Sequence, residues 1–385
     1  MTNGKYYIND DVKVFEQIIW GVEGLSMKSV IMMGSENDLK TLFNKFKGKT
    51  TIIGPKIPDG EIAIRYCELN NYDEIPRGVE DYQEPGKYRL MQGNFFRHGF
   101  DSPKRYLHPP ALKIVRVEKG LEIKPYNYDP KEIVFFGIKP CDVAAIRVMD
   151  KTFTWNKDAY YNAQREKITI IVENCTNPGK TCFCATMGAG PRAAENFDIA
   201  YTRINGKVLF EAGSVKGEEI LKGLETLKPA SNEVIAEFIK VMDEAYEKAK
   251  AQFTTTNLPE KLEINIANEN LWKELSEKCL ACGNCTMVCP TCFCFDIYDK
   301  SHLDEYVDRV RYWDSCFTYK YAEVAGGHFR PEIWAMYRQW MLHKFSYWKK
   351  QFDVFGCVGC GRCITWCPAG IDIRENVKKA SGGCK

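Results

Sequence analysis

Apolar residues come in two rhythms along this chain. Glu132-Ile-Val-Phe-Phe-Gly137 and Lys167-Ile-Thr-Ile-Ile-Val172 are short runs rich in β-branched and aromatic residues, bounded by turn residues, and they predict two buried strands. Between them, Asp142-Val-Ala-Ala-Ile-Arg-Val-Met-Asp150 repeats apolar positions at helical spacing, so the three segments predict a β-α-β unit. Thr50-Thr-Ile-Ile-Gly54 and Glu61-Ile-Ala-Ile-Arg65 predict further strands. The Pro-, Gly- and Tyr-rich stretch 76–110 predicts a long surface excursion.

The rhythm then becomes helical. In Ser231-Asn-Glu-Val-Ile-Ala-Glu-Phe-Ile-Lys-Val-Met-Asp243 a serine N-cap precedes apolar residues at helical spacing, and Thr254-Thr-Thr-Asn-Leu-Pro259 is the best linker candidate. Near the end, Pro331 opens a segment in which Trp334, Tyr337, Met341, Phe345 and Trp348 share one helical face. The pattern predicts an α+β chain: a mixed α/β domain over 1–215, a helical linker region over 216–275 and an all-helical domain over 276–385. The basic and aromatic side chains of that last helix read as core packing rather than as a nucleic-acid surface.

Composition narrows the partners. At 45% hydrophobic and 27% charged the chain is ordinary globular material, and a formal charge of +2 supplies no overall field for nucleic acid or an anionic membrane. No stretch is long and apolar enough to span a bilayer and the first residues show no signal pattern, so a cytoplasmic protein is expected. Seventeen cysteines, most of them two or three residues apart, suit metal in a reducing compartment better than a disulfide framework.

Two segments carry C-x2-C-x2-C-x3-C-P: Cys279, Cys282, Cys285, Cys289 with Pro290, and Cys357, Cys360, Cys363, Cys367 with Pro368. This is the bacterial ferredoxin run, in which three close thiolates wrap one [4Fe–4S] cluster and the fourth reaches the other cluster. The pairing predicts Cys279, Cys282, Cys285 and Cys367 around cluster one, and Cys357, Cys360, Cys363 and Cys289 around cluster two. Gly283, Gly359 and Gly361 let backbone N–H groups approach the sulfurs. A zinc site would more commonly use paired C-x2-C knuckles without the trailing cysteine and proline.

Cys141 follows one predicted strand and Cys175 the next, which puts both on one rim of an α/β sheet, where ligands gather. With Cys182 and Cys184 they are the candidate ligands of a third [4Fe–4S] cluster. Inert buried thiols, or a pairing of the quartet Thr181-Cys182-Phe183-Cys184 with its twin Thr291-Cys292-Phe293-Cys294, remain open. Cys292, Cys294 and Cys316 are read as structural thiols packed beside Cys289, and Cys67 and Cys384 carry no signal. Lys139 and Arg147, near Cys141, are either counter-charges or solvated side chains. The segment from Gly188 to Ala193 formally matches G-x-G-x-x-A, but it contains Pro191 and does not leave a strand, so a dinucleotide site is not expected. The histidines His98, His108, His302, His328 and His343 show no metal spacing.

The stretches GIKPCD (137–142), CFCATMGAGP (182–191), CPTCFCF (289–295), WDSC (313–316) and AGGHFRP (325–331) together resemble one family over nearly the whole chain. It is similar to the iron–sulfur β subunits of soluble sulfhydrogenase-type [NiFe] hydrogenases and to the iron–sulfur electron-transfer subunits of anaerobic sulfite reductases. The resemblance implies a non-catalytic electron-transfer role within an oxidoreductase complex. Its partners would be a flavin subunit handling NAD(P)H or ferredoxin and a catalytic redox subunit, with no nucleic acid and no membrane. The alternatives are a stand-alone flavin/iron–sulfur oxidoreductase and a heterodisulfide reductase-associated electron-transfer subunit.

Overall fold

A computed structural model describes residues 31–303 and 305–382; the N-terminal segment read for a signal pattern and Cys384 lie outside them. Its largest sheet has eight strands, in the order Lys228–Pro229, Met32–Gly34, Lys207–Ala212, Ile199–Ile204, Ile168–Glu173, Ile133–Ile138, Thr51–Lys56 and Arg65–Glu68. The four strands from Ile199–Ile204 to Thr51–Lys56 run parallel, and the flanking ones pair antiparallel. Ile133–Ile138 and Ile168–Glu173 are buried along their whole length, which is why they read as unbroken apolar runs: each has a packed layer on both faces. One layer holds Leu39, Leu42 and Phe43 of the helix Glu36–Phe46, whose start is tied down by Ser35 and Asp38 as a capping box. The other holds Val143, Ile146 and Met149 of the helix Pro140–Phe153, which starts with proline at its first position, where no N–H is missed. The strand expected over 61–65 begins only at Arg65.

The helical expectation for residues after 215 holds for Asn232–Lys248, Leu258–Ile264, Glu269–Ser276 and Ile333–Leu342. Trp272, Tyr337, Trp340, Met341, Phe345, Ile364 and Val377 form one buried core there. The all-helical picture of 276–385 is corrected. Phe295–His302 and Tyr306–Trp313 form a β-hairpin, and its second strand pairs antiparallel with Ala111–Glu118 to build a four-stranded sheet. Tyr306-Val-Asp-Arg-Val-Arg-Tyr-Trp313 has the alternation and β-branched content of a strand, but its partner lies nearly two hundred residues away in sequence.

The stretch 76–110 is also more than a surface excursion. Its hairpin Val79–Glu84/Lys87–Gln92 packs on the C-terminal cysteine loop: Gly86 N donates to Ile364 O at 3.0 Å and Tyr88 stacks on Trp366 with centroids 4.7 Å apart. Among the described residues no helix is long and apolar enough to cross a membrane.

Candidate metal centres

Each ferredoxin-type loop turns through a left-handed glycine into a single helical turn, Gly283 before Asn284–Met287 and Gly361 before Arg362–Thr365. These turns bend cysteines from both loops toward shared spaces. Cys279, Cys282, Cys285 and Cys367 line one cavity of about 30 Å3, walled by Phe317, Tyr337 and Trp340, and Cys363 also borders it. The second set also gathers: Cys289 is a charge neighbour of Cys357, Cys360 and Cys363.

The upstream cysteines converge as well. Cys141 sits in the first turn of Pro140–Phe153 and Cys175 just past the end of Ile168–Glu173, so both stand at the C-terminal rim of adjacent parallel strands. With Cys182 and Cys184 they line a second cavity, of about 20 Å3, whose wall also includes Arg97, His98, Lys139 and Cys360. Burial pushes the thiols up, Cys175 to about 11, Cys182 to about 12, and Cys141 and Cys184 well above the usual thiol range. Such thiols stay protonated while empty, and binding a metal there must release protons. Among the described residues no three His, Cys, Asp or Glu groups stand close enough to chelate a single metal ion; a [4Fe–4S] cluster instead spreads its four thiolates around a larger body, and thiol-lined cavities with buried cations fit it.

The quartet 181–184 is held directly against the second ferredoxin loop. Phe183 N donates to Gly359 O at 2.8 Å, the Cys182 thiol to Cys360 O at 3.7 Å, and Thr181 and Thr365 hydroxyls meet at 2.8 Å. Phe183 inserts, fully buried, into the C-terminal helical core. This approach requires glycine at two positions. A Cβ at Gly359 would lie 2.6 Å from the Phe183 carbonyl, and one at Gly361 would lie 2.5 Å from Thr181 O, with φ of +66° and +78°. Gly359→Ala is therefore expected to cost at least about 1–2 kcal/mol in backbone strain alone. It should push the 181–184 loop outward, so that any iron the upstream cysteines bind would be lost while any at the Cys279/Cys282/Cys285 set would stay. Iron analysis with a urea midpoint checks both parts, and an alanine variant with unchanged midpoint would contradict the contact.

Buried cations that spacing did not reveal surround these thiols. Arg362 and Asp142, both fully buried, pair at 2.9 Å between the two cysteine sets; Tyr66 OH donates to Asp142 at 2.8 Å and Arg362 Nε to Gly99 O at 3.2 Å. Lys139 is buried in the cavity wall and pairs with Glu173 at 2.8 Å, so the counter-charge reading fits its position, whereas Arg147 is only half-buried and pairs with Glu195. Lys344, on the buried face of the Trp-rich helix, places Nζ 3.2 Å from Cys289 Sγ and 3.3 Å from Cys292 Sγ. A hydrogen bond from Cys292, with that ammonium behind it, holds the Cys289 thiol well below its ordinary range. Cys292 thus packs beside Cys289 as expected. Arg97 and His98 fall in the 76–110 stretch and had no sequence signal; Lys344 and Arg362 were visible only as ordinary basic residues. The G-x-G-x-x-A segment backs the upstream cavity: Pro191 O accepts from Cys175 N at 2.9 Å, and a Cβ at Gly190 would stand 3.2 Å from Cys184 Sγ.

The family model for a 4Fe-4S dicluster domain matches residues 278–371. Sulfhydrogenase 2 subunit beta of Pyrococcus furiosus is 34% identical over 336 residues, which cover 86% of this chain and 92% of that relative.

Proposed function

The chain belongs to the family of iron–sulfur β subunits of sulfhydrogenase-type enzymes, and on that premise we propose that it carries single electrons between two partners, one a flavin subunit and the other catalytic. The flavin subunit would handle NAD(P)H or ferredoxin, and the catalytic one would be a [NiFe] hydrogenase, with sulfite reductase as the other member of that class. Cys279, Cys282, Cys285 and Cys367 would hold one [4Fe–4S] cluster, Cys357, Cys360, Cys363 and Cys289 a second, and Cys141, Cys175, Cys182 and Cys184 a third. Each cluster, when bound, takes up and gives back one electron at a potential set by its surroundings.

One observation carries the proposal: the three cysteine sets are contiguous. Cys363 of the second set borders the first cavity and Cys360 borders the upstream one. The chain's own residues supply what such a path requires. Phe317, Tyr337, Trp340 and Ile373 give the first cavity an aromatic and aliphatic wall, while Lys139 and Arg362 offset negative charge around the upstream cavity. Cys282 is exposed, whereas the upstream four are buried. The 279–285 loop is therefore the face at which a redox partner would approach closely.

Anaerobic preparation of the complex, with EPR of this chain's clusters, tests the reading. NAD(P)H is expected to reduce them only when the flavin subunit is present. Clusters that resist dithionite, or an isolated chain that oxidises NAD(P)H with a dye acceptor, would overturn it.

A further inference from the structure

Two tryptophans of this chain turn their indole N–H onto a backbone carbonyl: Trp272 Nε1 donates to Asn265 O at 2.8 Å and Trp313 Nε1 to His108 O at 2.9 Å. Trp340 does not. It is 4% exposed, and its Nε1 is buried without a hydrogen-bond partner among the described residues. An indole N–H can only donate, so burying it unpaired carries its full desolvation penalty. A buried donor of this kind calls for an acceptor.

The place of this indole in the fold supplies one. Trp340 stands in the wall of the cavity lined by Cys279, Cys282, Cys285 and Cys367. On the helix Ile333–Leu342 it follows Tyr337 by three residues, so both reach the same side, and its ring packs against Tyr337 and Phe317 with centroids 5.4 and 5.8 Å away. Tyr337, the other polar aromatic of this wall, has its hydroxyl engaged by Asn376 Nδ2 at 2.5 Å. In the second cysteine set a side-chain donor already meets a sulfur, Lys344 Nζ at 3.2 Å from Cys289 Sγ. In the first set a backbone group does so, Ala281 N to Cys279 Sγ at 3.4 Å, and Trp340 brings a side-chain donor to the same cavity.

We propose that Trp340 tunes cluster one: its Nε1–H donates to a sulfur of the [4Fe–4S] cluster held by Cys279, Cys282, Cys285 and Cys367. The bound cluster is the acceptor that the rest of the chain does not provide. A reduced cluster carries one more negative charge than an oxidised one, so a fixed N–H dipole stabilises the reduced state more and raises the midpoint potential. Cys282 of this set is exposed, so Trp340 sets the potential at the end of the chain where a redox partner would exchange electrons. The role rests on the ligand set assigned to cluster one in the relay, and adds to it a residue that no cysteine spacing marks.

The test is EPR on the full chain, purified anaerobically and labelled with indole-¹⁵N tryptophan. The species lost in Cys285→Ser identifies cluster one; if that variant loses none, the ligand set and the role of Trp340 fall together. On that species, hyperfine spectroscopy is expected to show a ¹⁵N coupling that Trp340→Phe abolishes, and a redox titration should place the Trp340→Phe midpoint below that of the wild type. Phenylalanine also leaves a void where the larger ring packed, and the variant may lose its fold. Benzothienylalanine at position 340, an indole isostere with sulfur in place of N–H, therefore repeats the titration with the packing kept. A fall in midpoint with the isostere supports the hydrogen bond. Cluster one present without a ¹⁵N coupling, or an unchanged midpoint with the isostere, overturns the tuning role alone and leaves the relay standing.

Discussion

Serine at both Cys182 and Cys184 is expected to remove about four iron atoms per chain, the content of one [4Fe–4S] cluster, while the two ferredoxin sets keep theirs. Both thiols line the upstream cavity with Cys141 and Cys175, and all four are buried. The loss should be clean because the 181–184 loop is fixed by its backbone: Phe183 N to Gly359 O, and Cys182 N to Gly179 O at 3.0 Å, both survive the substitution. Stability should fall too, since a group that binds only the folded chain contributes its binding free energy to folding. Cys67→Ser is the control. That thiol lies on the edge strand Arg65–Glu68, away from the cavities, and its replacement should leave iron unchanged. An iron content indifferent to Cys182 and Cys184 would mean that these are inert core thiols.

The second large effect concerns Arg362 and Asp142. Arg362→Met is expected to destabilise the chain by about 3–5 kcal/mol, because it leaves a fully buried carboxylate with Tyr66 as its remaining side-chain partner. The same substitution removes the cation nearest Cys360 and Cys141. Arg362→Met combined with Asp142→Leu should recover most of that loss, since an apolar pair of similar volume avoids the desolvation of both charges. Urea midpoints of the three anaerobic proteins make the comparison. A double variant no better than the single one would mean that Arg362 acts through Gly99 O or through the clusters rather than through Asp142.

Local pattern was a good guide wherever local physics decides. Strands were expected over 132–137 and 167–172 and occur at Ile133–Ile138 and Ile168–Glu173, because strands buried on both faces must be continuously apolar. The helix expected from Ser231 occurs at Asn232–Lys248 for a similarly local reason, apolar residues on one face. The placement of Cys141 and Cys175 on one rim followed from strand ends alone. Wherever partners are far apart in sequence, the pattern fell short. Tyr306–Trp313 pairs with Ala111–Glu118, and the Val79–Glu84 hairpin lies on the loop of Cys363 and Cys367, and in neither case does the pattern of one segment identify its partner.

The amino-acid sequence by itself determined which residues could do the chemistry: two ferredoxin runs whose spacing is a property of short loops, and four upstream thiols at the ends of adjacent strands. Only the tertiary structure decided how these groups are joined and charged. It presses Phe183 and Cys184 against Gly359, sets Arg362 on Asp142, and points Lys344 at Cys289 and Cys292. A cysteine motif is written in spacing because its ligands are neighbours on the chain. A counter-charge can come from any element the fold brings near, so its lysine or arginine looks like any other until the fold buries it.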